Sequence, residues 1–115
     1  MTETQEFPAE AVDFFQAQRP PQPIYNEYVW GGYLIWRLYP DYLVYIDGRA
    51  DVYGDRLVSE WLATHDGQTN WREPLDRYGI RTVLVKPDVA LASLLREDSS
   101  WKKVFEDKQA VIFVR

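Results

Sequence analysis

The side chains best suited to chemistry in this sequence gather between Tyr25 and Gly54, in the run YNEYVWGGYLIWRLYPDYLVYIDGRADVYG. The densest cluster is Asp47, Arg49 and Asp51, set around Gly48. Alternating carboxylate and guanidinium groups can satisfy one another, hold a cation through oxygen, or fork onto a hydroxylated ligand. Mutual pairing is the ordinary fate of charged loop residues. The spacing is not that of an EF-hand, which needs a longer ladder of oxygen donors closed by a glutamate. A magnesium site is only weakly signalled, and no metal or cofactor is expected.

Asn26 and Glu27 form the second candidate group. A Glu27–Asp47 or Glu27–Asp51 couple could do acid–base work on a substrate held between the carboxylates. The alternative is structural, with Asn26 capping the helix that follows and Glu27 complementing its positive N-terminal end. Trp30, Tyr33 and Trp36, with Tyr39, Tyr42, Tyr45 and Tyr53 nearby, could stack on a sugar or a lipid-linked group, or fill a core. At helical spacing Tyr33 and Trp36 fall on different faces, so one of them is expected outside the core. The single histidine, His65, closes a helix and reads as a partner for its dipole rather than as a catalyst. No Ser-His-Asp arrangement, P-loop or GxGxxG pattern is present.

The elements that must position these groups follow from periodicity and punctuation. Ala11, Val12 and Phe15 recur at helical spacing after Pro8, and the run Arg19-Pro20-Pro21-Gln22-Pro23 stops that helix. Residues 23–26 suit a short strand, and Trp30 to Leu38 a helix whose Gly31-Gly32 pair lets another backbone approach. Leu43 to Asp47 is the clearest strand signal. Amphipathic spacing then predicts helices over residues 54–65, 71–78 and 89–95, with a strand at Thr82–Val85. Trp101–Glu106 and Ala110–Val114 suit a closing hairpin. The expectation is a single three-layer α/β domain spanning 1–115, with a mainly parallel sheet, helices on both faces and a C-terminal antiparallel hairpin. Ligands in such a sheet bind beyond the carboxyl ends of the strands, where the Asn26-Glu27 and Asp47–Asp51 loops begin.

Composition narrows the function. The net charge of −5 comes with scattered basic residues and no basic stripe, which argues against nucleic acid as a partner. The absence of cysteine excludes thiol catalysis, disulfides and zinc–thiolate sites. No apolar run reaches the roughly 20 residues that span a bilayer, and no signal peptide is recognisable, so the chain is expected to be soluble as it stands. Aromatic residues make up 16% of the sequence, more ring surface than a core of this size needs, and Trp and Tyr favour docking surfaces and membrane interfaces.

Several blocks resemble a bacterial family: PAEAVDFF at 8–15, IYNEYVWGGYLIW at 24–36 and IDGRADVYG at 46–54, followed by Trp71-Arg72, Leu75, Tyr78-Gly79-Ile80 and AVIF at 110–113. These are polytopic membrane proteins related to GT-C-type glycosyltransferases, with a C-terminal soluble domain after many transmembrane helices. The resemblance implies an extracytoplasmic domain docked on the transmembrane portion of its own full-length chain. That portion would use a polyprenyl-linked sugar, and the domain would assist acceptor recognition or packing rather than perform transfer. A more distant similarity is to the Trp-Trp-Asp-Tyr-Gly motif of oligosaccharyltransferase catalytic subunits, although Trp30 stands at the place of its Asp. The rhodanese-like look of LVYIDGRADVYG fails for want of a cysteine. Two other readings remain open: a stand-alone module binding a small polar ligand or a protein, and a small enzyme using Glu27 and Asp47 as acid and base.

Overall fold

The computed structural model describes residues 7–45 and 55–115. In chain order these form α1 (Ala9–Gln18), β1 (Ile24–Asn26), a 3-10 turn (Tyr28–Trp30), α2 (Gly31–Leu38), α3 (Asp55–His65), α4 (Arg72–Arg77), β2 (Thr82–Val85), α5 (Ala90–Glu97), β3 (Lys102–Glu106) and β4 (Val111–Val114). Most boundaries follow local chemistry. Pro8 precedes α1, and Arg19 ends it in the left-handed region, at φ 49°. Gly79 turns the chain out of α4 at φ 63°, a conformation that glycine adopts without a Cβ penalty.

The four strands make one sheet in the order β1-β2-β4-β3. β1 runs parallel to β2, with Ile24 opposite Thr82, while β2–β4 and β3–β4 are antiparallel. A mixed α/β domain is what the sequence indicated, but the described sheet is mostly antiparallel, where a mainly parallel one was expected. Two differences account for this. The closing hairpin does not simply extend an edge: β4 inserts beside β2 and is buried, leaving β3 outermost with its ends exposed. The strand expected at 43–47 is also not a strand in its described part. There the Tyr45 N–H donates to the Asn26 side-chain oxygen at 2.7 Å instead of to a neighbouring backbone. Ile46 and Asp47 lie outside the described residues.

Strand alternation sorts the core into two clusters. Tyr25, Val83, Val85, Val111 and Phe113 point to one side, where they meet Trp61 of α3, Leu75 of α4 and Leu91 and Leu95 of α5. Ile24, Leu84 and Ile112 point to the other and meet Val12 and Phe15 of α1 and Leu34 and Leu38 of α2. The helix after β1 therefore packs on one face of the sheet, and the helix after β2 on the opposite face. Gly67, at φ 70°, joins the turn after α3 to α5. A Cβ there would sit 2.9 Å from Leu94 Cδ1 and 3.2 Å from Ala90 Cβ, so the site needs glycine for its backbone angle and for space.

Candidate functional site

The carboxyl end of β1 delivers Asn26 and Glu27 into the interior rather than to solvent. Asn26 is fully buried. Its Nδ2 donates to the Glu27 carbonyl at 2.8 Å, and its own carbonyl accepts from Trp61 Nε1 at 2.9 Å. Glu27 is 3% exposed. Its Oε2 accepts the Lys86 N–H at the end of β2 at 2.9 Å, and its Oε1 lies 2.8 Å from His65 Nε2 at the end of α3. Neither residue caps a helix: the 3-10 turn and α2 begin without a side-chain cap bond. The capping role expected of Asn26 is not found, and Glu27, which stands at the start of the 3-10 turn, instead forms a clamp that ties β1, β2 and α3 through one carboxylate.

His65 completes the clamp. Its ring stacks on Trp61, with centroids 4.5 Å apart, and its Nδ1 lies 3.5 Å from Asp66 Oδ1. Burial works against a charged imidazole. The hydrogen bond and charge of Glu27, helped by Asp66, outweigh that and raise the His65 pKa above its usual 6.5. Both ring nitrogens face carboxylates, so no nitrogen is left to take a proton from a substrate. The dipole role read from sequence misses this pairing. A signal for it was present: His65 lies four residues after Trp61, on the helix stripe that faces the sheet. Nearby, Tyr25 donates to the Trp61 carbonyl at 2.8 Å, and burial, followed by the Glu27 charge, pushes its phenol far up. The Tyr45 hydroxyl is buried with no hydrogen-bond partner among the described residues, and burial raises its pKa as well.

The aromatic candidates divide cleanly. Trp30 is 1% exposed and sits in the core. Tyr33 is also buried, stacked on Phe7 at 4.8 Å and hydrogen-bonded by Arg37. Trp36, by contrast, is 71% exposed, which meets the expectation that one of the Tyr33–Trp36 pair stands outside the core. With Val29, Gly32 and Tyr39 it forms a stripe at helical spacing along the outside of α2. Among the described residues, a Cβ built on Gly32 would meet nothing within 4 Å. Asp47, Arg49, Asp51 and Tyr53 lie outside the described residues, and so do the Glu27–Asp47 and Glu27–Asp51 couples.

A cleft of about 730 Å³ lies at this end of the sheet, where the sequence placed ligands, but its lining was not anticipated. It lies between the turn after β1 (Val29, Trp30), the segment after β2 (Lys86, Pro87, Asp88) and the β3–β4 turn (Lys108, Gln109), with Phe7 at its side. Its parts come from three distant stretches of chain, so no local motif announces it. Among the described residues no group of three or more histidine or acidic side chains could hold a metal, and no helix is long and apolar enough to cross a membrane. Comparisons with protein-family models, curated proteins and solved structures returned no match.

Proposed function

We propose that this chain is a non-catalytic, extracytoplasmic domain of a bacterial GT-C-like membrane glycosyltransferase. In this reading it assists recognition of the acceptor or docks on the transmembrane portion of its own full-length chain, while the membrane portion handles the polyprenyl-linked sugar. The observation that carries the proposal is the exposed stripe Val29, Gly32, Trp36 and Tyr39. Large apolar side chains at more than half exposure, arranged around a glycine that no internal packing requires, suit a face meant to be covered. Trp and Tyr are also the residues that membrane interfaces favour.

The acid–base enzyme is the weaker reading. Both Glu27 oxygens and both His65 nitrogens are engaged inside the fold. A general base needs a free acceptor within reach of its substrate.

The reading frame that carries this sequence supplies the test. Several apolar spans of about 20 residues are expected ahead of the domain. A frame encoding the domain with no such span overturns the proposal. Where spans are present, cross-linking from position 36 in native membranes is expected to trap the transmembrane portion.

A further inference from the structure

We propose that the cleft at the carboxyl ends of β1 and β2 binds a phosphate monoester carrying an apolar group, with Lys86 and Lys108 holding the phosphate. This shares only Val29 with the membrane-docking reading and survives its failure.

The topology creates the place. β1 and β2 are parallel neighbours, and the chain leaves them toward opposite faces of the sheet. Parallel strands whose following helices part in this way leave a crevice beyond their carboxyl ends, where open α/β sheets take their ligands. The cleft's volume, about 730 Å³, falls within the range of small-molecule sites.

The two lysines are presented rather than merely exposed. The Lys86 backbone is fixed by its N–H bond to the buried Glu27 carboxylate, and Pro87 follows, its carbonyl held by Arg96 at 3.0 Å. Lys108 sits in a turn whose Gln109 and Ala110 N–H groups both donate to Asp107 Oδ1, at 2.8 and 2.9 Å. The main chain at both positions is therefore set before any ligand arrives. Their ammonium groups, however, have no ion-pair partner among the described residues. Most basic side chains here do have one: Arg72 pairs with Asp98, Arg96 and Lys103 with Glu106, and Arg115 with Asp76. Asp88 lines the same cleft and still forms no ion pair with either lysine.

Charge and shape then select the ligand. In a chain of net charge −5, this lining contains two lysines against one aspartate. Lysine binds phosphate as a strongly hydrated point charge, and a phosphate dianion matches two of them. Phe7 and Val29 supply the accessible apolar side, Trp30 being only 1% exposed, and this gives a bare inorganic ion nothing but rewards an apolar substituent.

The test uses phenyl phosphate as the soluble probe and phosphatidylcholine vesicles containing phosphatidic acid as the lipid probe. Titration with phenyl phosphate, followed by amide NMR, is expected to give saturable shifts at Val29, Lys86 and Lys108. Inorganic phosphate and phenol should each bind at least about tenfold more weakly. The double variant Lys86→Ala/Lys108→Ala should weaken phenyl phosphate by at least about tenfold. Lys102→Ala, on exposed β3, should leave it unchanged. Co-sedimentation with the vesicles, lost in the double variant, would place the phosphate on a lipid; binding of phenyl phosphate alone would place it on a soluble ester. Absence of a saturable response to both probes overturns the proposal, as does an undiminished response in a double variant shown by its melting curve to be folded.

Discussion

Two regions meet at one residue, and they treat polar groups in opposite ways. The backbone N–H of Lys86 belongs to the Glu27–His65 clamp, and the same residue lines the cleft. In the clamp every side-chain polar atom of Glu27 and His65 has a partner, and the carboxylate is almost fully buried. In the cleft two ammonium groups stand on a fixed main chain with no ion-pair partner among the described residues. The clamp spends its electrostatics on holding the sheet's end together, and the cleft leaves its electrostatics free for something outside. The stripe on α2 makes the same contrast in apolar terms, with Trp30 enclosed and Trp36 open. Satisfied groups mark what the fold requires, and unsatisfied ones mark what a partner can use.

That contrast breaks most readily at Glu27. Glu27→Ala strands His65 and the Lys86 N–H in a buried setting, and removing one partner of a buried ion pair costs about 3–5 kcal/mol. Urea unfolding measures this, and a loss below about 1 kcal/mol would mean that the carboxylate is not holding the clamp. Gly67→Ala comes next. A left-handed backbone and a Cβ 2.9 Å from Leu94 Cδ1 together cost about 1–3 kcal/mol, read from the same unfolding curves.

Smaller effects sharpen the comparison. The folded-state pKa of His65 is raised, so its contribution to stability is fully present below about pH 6.5, its unfolded value. That contribution is lost as the pH rises through the folded pKa. Urea midpoints measured across neutral pH should therefore decline toward the alkaline side, and His65→Gln should remove that component of the slope while Asp66, Glu27 and Tyr25 stay in place. Gly32→Ala should stabilise the isolated domain by about 0.5–1 kcal/mol, because it adds helix propensity where the Cβ meets nothing. Destabilisation would show that the face is already packed. Last, the Lys86→Ala/Lys108→Ala variant should melt within about 0.5 kcal/mol of the parent when no ligand is present, since its side chains hold nothing in the fold.

Much of the scaffold was legible in the sequence. The short β-branched run Thr82–Val85, the proline stop after α1 and the helical spacing of Trp30, Leu34 and Leu38 all have local causes, and local causes can be read from one stretch of chain. The neighbours of β4 could not. Val111–Val114 looks the same whether it lies at an edge or beside β2, and only the packing of both faces decides. Asn26 and Glu27 were recognised as special, but their partners lie far along the chain, at Tyr45, Trp61, His65 and Lys86. The lining of the cleft was invisible for the same reason, as Val29, Lys86 and Lys108 come together only through the sheet.

The pairing of Ile24 with Thr82 also sets an order of events for the chain as it acquires its structure. The β3–β4 hairpin closes over a few residues, whereas β1 must wait for a strand on the far side of α2, α3 and α4. Contacts this distant in sequence are entropically slow to form. Conservative truncations in the hairpin, such as Ile112→Val, should slow refolding, whereas Ile24→Val in β1 should mainly speed unfolding. The lysine cleft, assembled from the ends of both units, would then be among the last parts of the molecule to exist.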